Sequence, residues 1–331
     1  IDTGAGPTMT GTTVTARNGI AYVTSADLDG DHVTDYVYAG DVLGNLWRFD
    51  LTSSDPTKWA ASSAPIFKTA AGQPITTRVT VSSVLGIGAA GQPGVVVSFG
   101  TGQQFPQTQV NSATYASATQ ALYGIWDWDM SGWNAKGGAS AQYAALASPQ
   151  TVDTTTLQAQ SITATQPGSG SISGYRTLST NKVRWKGSPS CKTGNTQFGW
   201  TLPLPSTGNE QVIYNPTTAY GMLLVNTTIP AVSQVLTCDT QPAAGYTMAV
   251  SLNTGGAPGA SFFGDQNGNF VTYNGGIVSG IGLSATGTPS IVTANKWPYL
   301  VQQTVGGTGV VTKINPAANG KGKRLTWIKL R

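Results

Sequence analysis

A chain of 331 residues with 18 Lys and Arg against 14 Asp and Glu has a formal net charge of +4, too small and too evenly spread for a nucleic-acid footprint. Charged residues reach only 10%, Glu210 is the single glutamate, and 42 glycines and 18 prolines punctuate the rest, which excludes a helical bundle and predicts many short strands in a sandwich, barrel or propeller. With no apolar run long enough to span a membrane and no initiator Met, the expectation is an all-β, soluble, exported piece of a longer polypeptide, residues 1–331 forming one domain.

The first predicted elements are Ile20-Ala-Tyr-Val-Thr24 and Tyr36-Val-Tyr38, whose β-branched and aromatic content is that of strands. Between them, Ala26-Asp-Leu-Asp-Gly-Asp-His-Val-Thr-Asp35 crowds four carboxylates into one loop, where they repel one another unless a cation is shared. Calcium takes its oxygens from alternate positions of such a loop, with a backbone carbonyl at the seventh. Counting Asp27 as the first position puts Asp29 third, Asp31 fifth, the Val33 carbonyl seventh and Asp35 ninth, which predicts a Ca2+ site built from these five residues. His32 stands where an EF-hand has glycine and Tyr38 where it has a bidentate Glu, so the loop reads as a calcium turn between two strands.

Further along, Gly44 to Leu51 (GNLWRFDL), Leu122 to Asp129 (LYGIWDWD), Phe198 to Leu204 (FGWTLPL), Tyr246 to Leu252 (YTMAVSL) and Arg324 to Leu330 (RLTWIKL) alternate large apolar with small or polar residues. That is the period of strands with one buried face, and their spacing has the rhythm of a degenerate propeller. Strands are also predicted over Val79 to Val84, Gly94 to Gly100, Gln211 to Tyr214, Gly221 to Thr228, Phe270 to Tyr273 and Gly309 to Ile314. Val95, Val96, Val97 and Phe99 form a nearly continuous apolar run, as expected of a strand covered on both faces. The stretch from Ser140 to Ser173 lacks sustained apolar periodicity and reads as an insertion or mobile connection. Lys321-Gly-Lys-Arg324 reads as a solvated turn, and Asp265-Gln-Asn-Gly-Asn269, with one carboxylate, as an Asx turn.

A Ser/His/Asp triad or a zinc site would need histidines that this chain lacks, because its only one, His32, lies inside the Asp-rich loop. Asp127 and Asp129 in Trp126-Asp-Trp-Asp129 resemble a glycosidase pair flanked by sugar platforms, but no Glu is nearby as proton donor, and tryptophans alternating into a sheet interface are the preferred reading. No enzyme is therefore expected; the rival reading is a calcium-dependent carbohydrate-binding or glycan-cleaving propeller using Trp126, Trp128 and Trp133. Cys191 and Cys238, the only cysteines, predict one disulfide in an oxidising compartment.

The order Asp27-Leu-Asp-Gly-Asp-His-Val-Thr-Asp35, Gly44-Asn-Leu-Trp-Arg-Phe-Asp-Leu51, Val97-Ser-Phe-Gly-Thr-Gly102, Leu122-Tyr-Gly-Ile-Trp-Asp127, Gly199-Trp-Thr-Leu202 before Glu210-Gln-Val212, and Arg324-Leu-Thr-Trp327 resembles the C-terminal domain of the PilY/PilC proteins of bacterial type IV pili. The resemblance implies a modified seven-bladed β-propeller with one calcium site, the ligands being Asp27, Asp29, Asp31, the Val33 carbonyl and Asp35. It also implies a secreted adhesin of the periplasm, outer membrane and pilus tip in a Gram-negative bacterium. Such a protein supports pilus assembly and twitching motility with the minor pilins and antagonises retraction under the control of calcium. Contacts to host or surface receptors are expected of the N-terminal part that this chain does not contain.

Overall fold

The computed structural model describes residues 1–88, 91–106, 108, 113–136, 142–169, 172–188, 194–230, 244–265, 267–282, 285–304, 309–316 and 323–324. Strands dominate, and the one α-helical segment among the described residues is the short Ser131–Ala135. The Asp-rich loop belongs to an antiparallel sheet in which Ile20–Ala26 pairs with Tyr36–Asp41, Tyr36–Asp41 with Asn45–Asp50, and Asn45–Asp50 with Ala60–Ala61 and Phe67–Lys68.

The second sheet has six strands in the spatial order Gln158–Ala159, Gly199–Pro203, Ala121–Asp127, Gly94–Gly100, Thr80–Val84 and Lys323–Arg324. Gly94–Gly100 lies inside this sheet and is buried along its whole length. Val95, Val97 and Phe99 face a core shared with Tyr36, Tyr38 and Leu46 of the first sheet. Val96 faces the opposite core with Trp126, Trp200 and Leu223. The continuous apolar run thus reflects two packed faces, because alternate side chains of a strand leave on opposite sides and both sides are covered here.

Trp200 is fully buried, and its ring lies against Gly124 on the neighbouring strand and against Gly255. A Cβ at either glycine would overlap the indole, and Gly255 also has φ +73°, a conformation L side chains rarely adopt. Trp200 Nε1 donates to the Leu252 carbonyl at 3.0 Å, so the polar edge of this buried ring is satisfied.

A seven-stranded sheet contains Ile162–Ser169, Ile172–Leu178, Gly276–Gly282, Tyr246–Ser251, Met222–Asn226 and Thr217–Ala219 in that order, with Thr272–Tyr273 joined to Gly276–Gly282. A three-stranded sheet of Ala285–Ala294, Trp297–Thr304 and Gly309–Lys313 follows. Sheets of such different sizes stand in place of the uniform four-stranded unit that a regular propeller repeats.

Three local expectations need correction. The Ser140–Ser173 stretch is built into the fold: Tyr143 and Ala144 are buried, and Ile162–Ser169 is an edge strand paired to Ile172–Leu178. Its apolar signal is weak because the half-buried positions are Ile162, Ala164 and Gln166, and because Pro167 is tolerated on an edge. Of the turn expected over Lys321-Gly-Lys-Arg324, residues 321 and 322 lie outside the described residues, Lys323 is already in a strand, paired with Ser83, and Arg324, paired with Ser82, stands in a strand as expected. Gln211 forms an isolated bridge to Thr228 and no strand runs over Gln211 to Tyr214. Arg324 is the last described residue, so the predicted strand from Arg324 to Leu330 otherwise lies outside the described residues. So do Cys191 and Cys238.

Candidate metal centre

The Asp-rich loop connects two paired strands and is closed by Asp35 N–H donating to the Ala26 carbonyl at 2.9 Å. Gly30 (φ 83°) and His32 (φ 72°) take left-handed conformations that fold the chain back on itself. Leu28 points the other way, 4% exposed and packed in the core, so alternation at Asp27, Leu28 and Asp29 separates the acidic side from the apolar one. From across the interface, Tyr143 Oη donates to the Leu28 carbonyl at 2.8 Å.

Asp27, Asp29 and Asp35 bring one carboxylate oxygen each to within 4.8 Å of one another. Two oxygens on one calcium ion can be at most about 5 Å apart, twice a bond of about 2.3–2.6 Å, so this cluster can hold such an ion. The donors are hard and anionic, the chemistry calcium takes. Asp27 is 9% exposed and accepts from Gly30 N (2.6 Å) and His32 N (2.9 Å). Asp29 accepts from Asp31 N at 3.2 Å. Asp35 is 1% exposed; its Oδ2 accepts from Leu28 N at 2.7 Å and its Oδ1 lies 3.4 Å from Lys136 Nζ. Burial raises the Asp35 pKa above the ordinary carboxylate value, the Leu28 N–H and Lys136 pull it back, and Asp29 pushes it further up.

The other two predicted ligands are placed differently. Asp31 lies outside the three-carboxylate group, is exposed, and accepts from Val33 N at 2.7 Å. Val33 is 61% exposed. Of the five residues expected as ligands, burial and spacing thus separate an inner set, Asp27, Asp29 and Asp35, whose oxygens could hold a metal ion, from an outer pair.

Asp127 and Asp129 have another partner. Arg48 Nη1 meets Asp127 Oδ1 at 2.8 Å and Arg48 Nη2 meets Asp129 Oδ2 at 2.9 Å, while Tyr38 Oη donates to Asp127 Oδ2 at 2.7 Å. Trp126 and Trp133 are 1% and 0% exposed, which removes both rings as sugar platforms. Asp265 Oδ1 accepts from Asn267 N and Asn269 N at 2.9 and 2.8 Å, the Asx geometry read from that segment.

Sequence reasoning passed over two buried carboxylates. Asp41 collects Asn18 Nδ2, Asn45 N, Asn45 Nδ2 and Trp47 Nε1, all within 3.0 Å. Glu210 takes both arms of Arg176 at 2.6 and 2.7 Å, and the Arg176 guanidinium lies 3.4 Å from the Tyr246 ring centroid. The solitary status of Glu210 in so Glu-poor a chain was the available signal.

Fold and site together define an all-β domain carrying an Asp-rich inter-strand loop. Residues 1–165 match the family model of the PilY1 beta-propeller domain. The "Type IV pilus biogenesis factor PilY1" of Pseudomonas aeruginosa strain UCBPP-PA14 is 30% identical over 301 residues, 79% of this chain and 24% of that protein. A "Type IV pilus biogenesis factor PilY1 homolog" of Xylella fastidiosa is 28% identical over 325 residues, 95% of this chain and 22% of that protein. The crystal structure of the Pseudomonas aeruginosa PilY1 C-terminal domain superposes with a TM-score of 0.66 at 25% identity, over 92% of this chain and 62% of that one. The chain belongs to the PilY1 family and corresponds to its C-terminal, β-propeller-type domain. It spans about a quarter of the length of these curated relatives.

Proposed function

We infer that this domain binds one calcium ion in the Asp27–Asp35 loop and serves type IV pilus biogenesis through protein contacts, without catalysis. The observation that carries the reading is the convergence of Asp27, Asp29 and Asp35 oxygens within 4.8 Å, on a turn whose other side, Leu28, is set in the core. Relatives named as type IV pilus biogenesis factors supply the biological setting. Asp31 and the Val33 carbonyl complete the coordination from the exposed side, and water fills the remaining positions. The partners are the minor pilins and the pilus machinery at the cell surface, and calcium occupancy sets the balance between pilus extension and retraction.

The test places Asp35→Ala in the parent protein in its own cell and compares it with wild type for calcium content, surface pili and twitching. Loss of the bound calcium together with a changed extension–retraction balance supports the reading. Pilus behaviour unchanged when calcium binding is lost overturns the regulatory part, and undiminished calcium content overturns the site.

A further inference from the structure

Lys136 follows the Ser131–Ala135 helix, more than a hundred residues from the Asp-rich loop in sequence, yet its ammonium lies 3.4 Å from Asp35 Oδ1. Asp35 is nearly inaccessible to water, whereas the Lys136 side chain is 34% exposed. A carboxylate that buried is costly to ionise without a nearby positive charge. The Lys136 ammonium also lies 4.8 Å from the Trp133 ring centroid, and Trp133 is fully buried, so the lysine is held from two sides.

We propose that Lys136 is a tethered counter-ion that competes with the divalent cation for Asp35, and so sets the affinity of the loop. The proposal rests on the calcium reading of that loop. A calcium ion drawing Asp35 Oδ1 into its coordination shell takes the oxygen that the ammonium faces, and two cations cannot share it closely without repulsion. Binding calcium therefore includes displacing Lys136, a cost that weakens the site and keeps it in exchange with its surroundings. The same exchange has an outward face. Lys136 lines a cleft of about 480 Å³ with Val33, Leu51, Thr52 and Trp59, so moving its charge off Asp35 changes the charge presented to that cleft.

The experiment titrates calcium, by calorimetry and by competition with a chromophoric chelator, into wild type, Lys136→Met, Lys136→Gln and Lys136→Arg of this chain. Removal of the charge should tighten calcium binding about tenfold, from the lost repulsion at partly screened distance. Lys136→Arg should bind like wild type. Melting curves add an independent readout: in chelator, Lys136→Met should melt below wild type because Asp35 loses its counter-ion, and saturating calcium should close that gap. Wild-type binding with unchanged or weaker affinity in both neutral variants overturns the exchange and leaves the calcium reading standing. No calcium binding by wild type overturns the calcium reading and the exchange together.

Discussion

Arg48 and Asp127, 79 residues apart, meet at 2.8 Å between the sheet that carries the Asp-rich loop and the six-stranded sheet beside it. Asp127 also accepts the Tyr38 hydroxyl, and the second guanidinium arm holds Asp129, so one cation serves two carboxylates. The Asp127 side chain is 1% exposed and that of Arg48 11%. Removing one partner of such a pair strands a buried charge, which costs about 3–5 kcal/mol. Arg48→Ala and Asp127→Ala should each lower the unfolding free energy by roughly that amount, and Arg48→Met with Asp127→Leu together by less than the sum. Urea unfolding checks this, and additive losses would show that the two residues are not coupled.

Gly124 faces Trp200 in the register of their strands, with no room for a methyl group between them. Gly124→Ala should cost about 1–3 kcal/mol from overpacking, despite the better strand propensity of alanine. Recovery in a Gly124→Ala, Trp200→Phe double variant, measured by denaturant midpoint, would identify the indole as the obstacle. A neutral Gly124→Ala would mean that the sheet relaxes around it.

Stability should fall at alkaline pH for a reason visible in the cores. Burial raises the pKa of Tyr36, Tyr38 and Tyr123, and pushes Tyr143 up to about 12. In the unfolded chain these phenols ionise near about pH 10. The folded protein therefore holds protons that the unfolded chain has released, and the stability these groups provide is complete below about pH 10 and lost as pH rises through the folded values. Each should account for about 1 kcal/mol by about pH 11. Phenolate absorbance should appear in a cooperative step that coincides with loss of circular dichroism; a gradual titration without unfolding would contradict it.

The sheets were legible where side chains alternate strongly. Val95, Val96, Val97 and Phe99 announce a strand with two covered faces, and Asp27 to Asp35 announces a carboxylate turn between strands. What stayed hidden depends on partners distant in sequence. Nothing near Glu210 names Arg176, nothing near Asp127 names Arg48, and nothing near Asp35 names Lys136, because these pairings exist only once separate strands and helices are brought together. The hairpin of Ile162–Ser169 and Ile172–Leu178 was missed for a different reason: backbone pairing carries it, and that leaves little trace in hydropathy.

The inner and outer acidic residues of the loop should behave differently toward calcium. Asp27 and Asp35 are 9% and 1% exposed, and with Asp29 they form the group whose oxygens can meet on one ion. Asp31 is exposed and outside that group, so it joins at the cost of its hydrogen bond from Val33 N. Asp27→Asn and Asp35→Asn, which keep shape and remove charge, should weaken calcium by on the order of a hundredfold, and Asp31→Asn by about tenfold or less, since ligand charge count tunes such sites. Chelation should leave the far-ultraviolet circular dichroism at 25 °C unchanged, because the loop gives only Leu28 to the core around Val97 and nothing to the core around Trp200 among the described residues. It should still lower the melting temperature, since calcium at a hundredfold excess over its dissociation constant adds about 2.7 kcal/mol by mass action. Calorimetric titration of the three variants and paired melting curves decide the matter. An Asp31→Asn loss as large as that of Asp35→Asn would place Asp31 among the primary ligands, and unfolding on chelation would make calcium a requirement of the fold instead of an occupant of one turn.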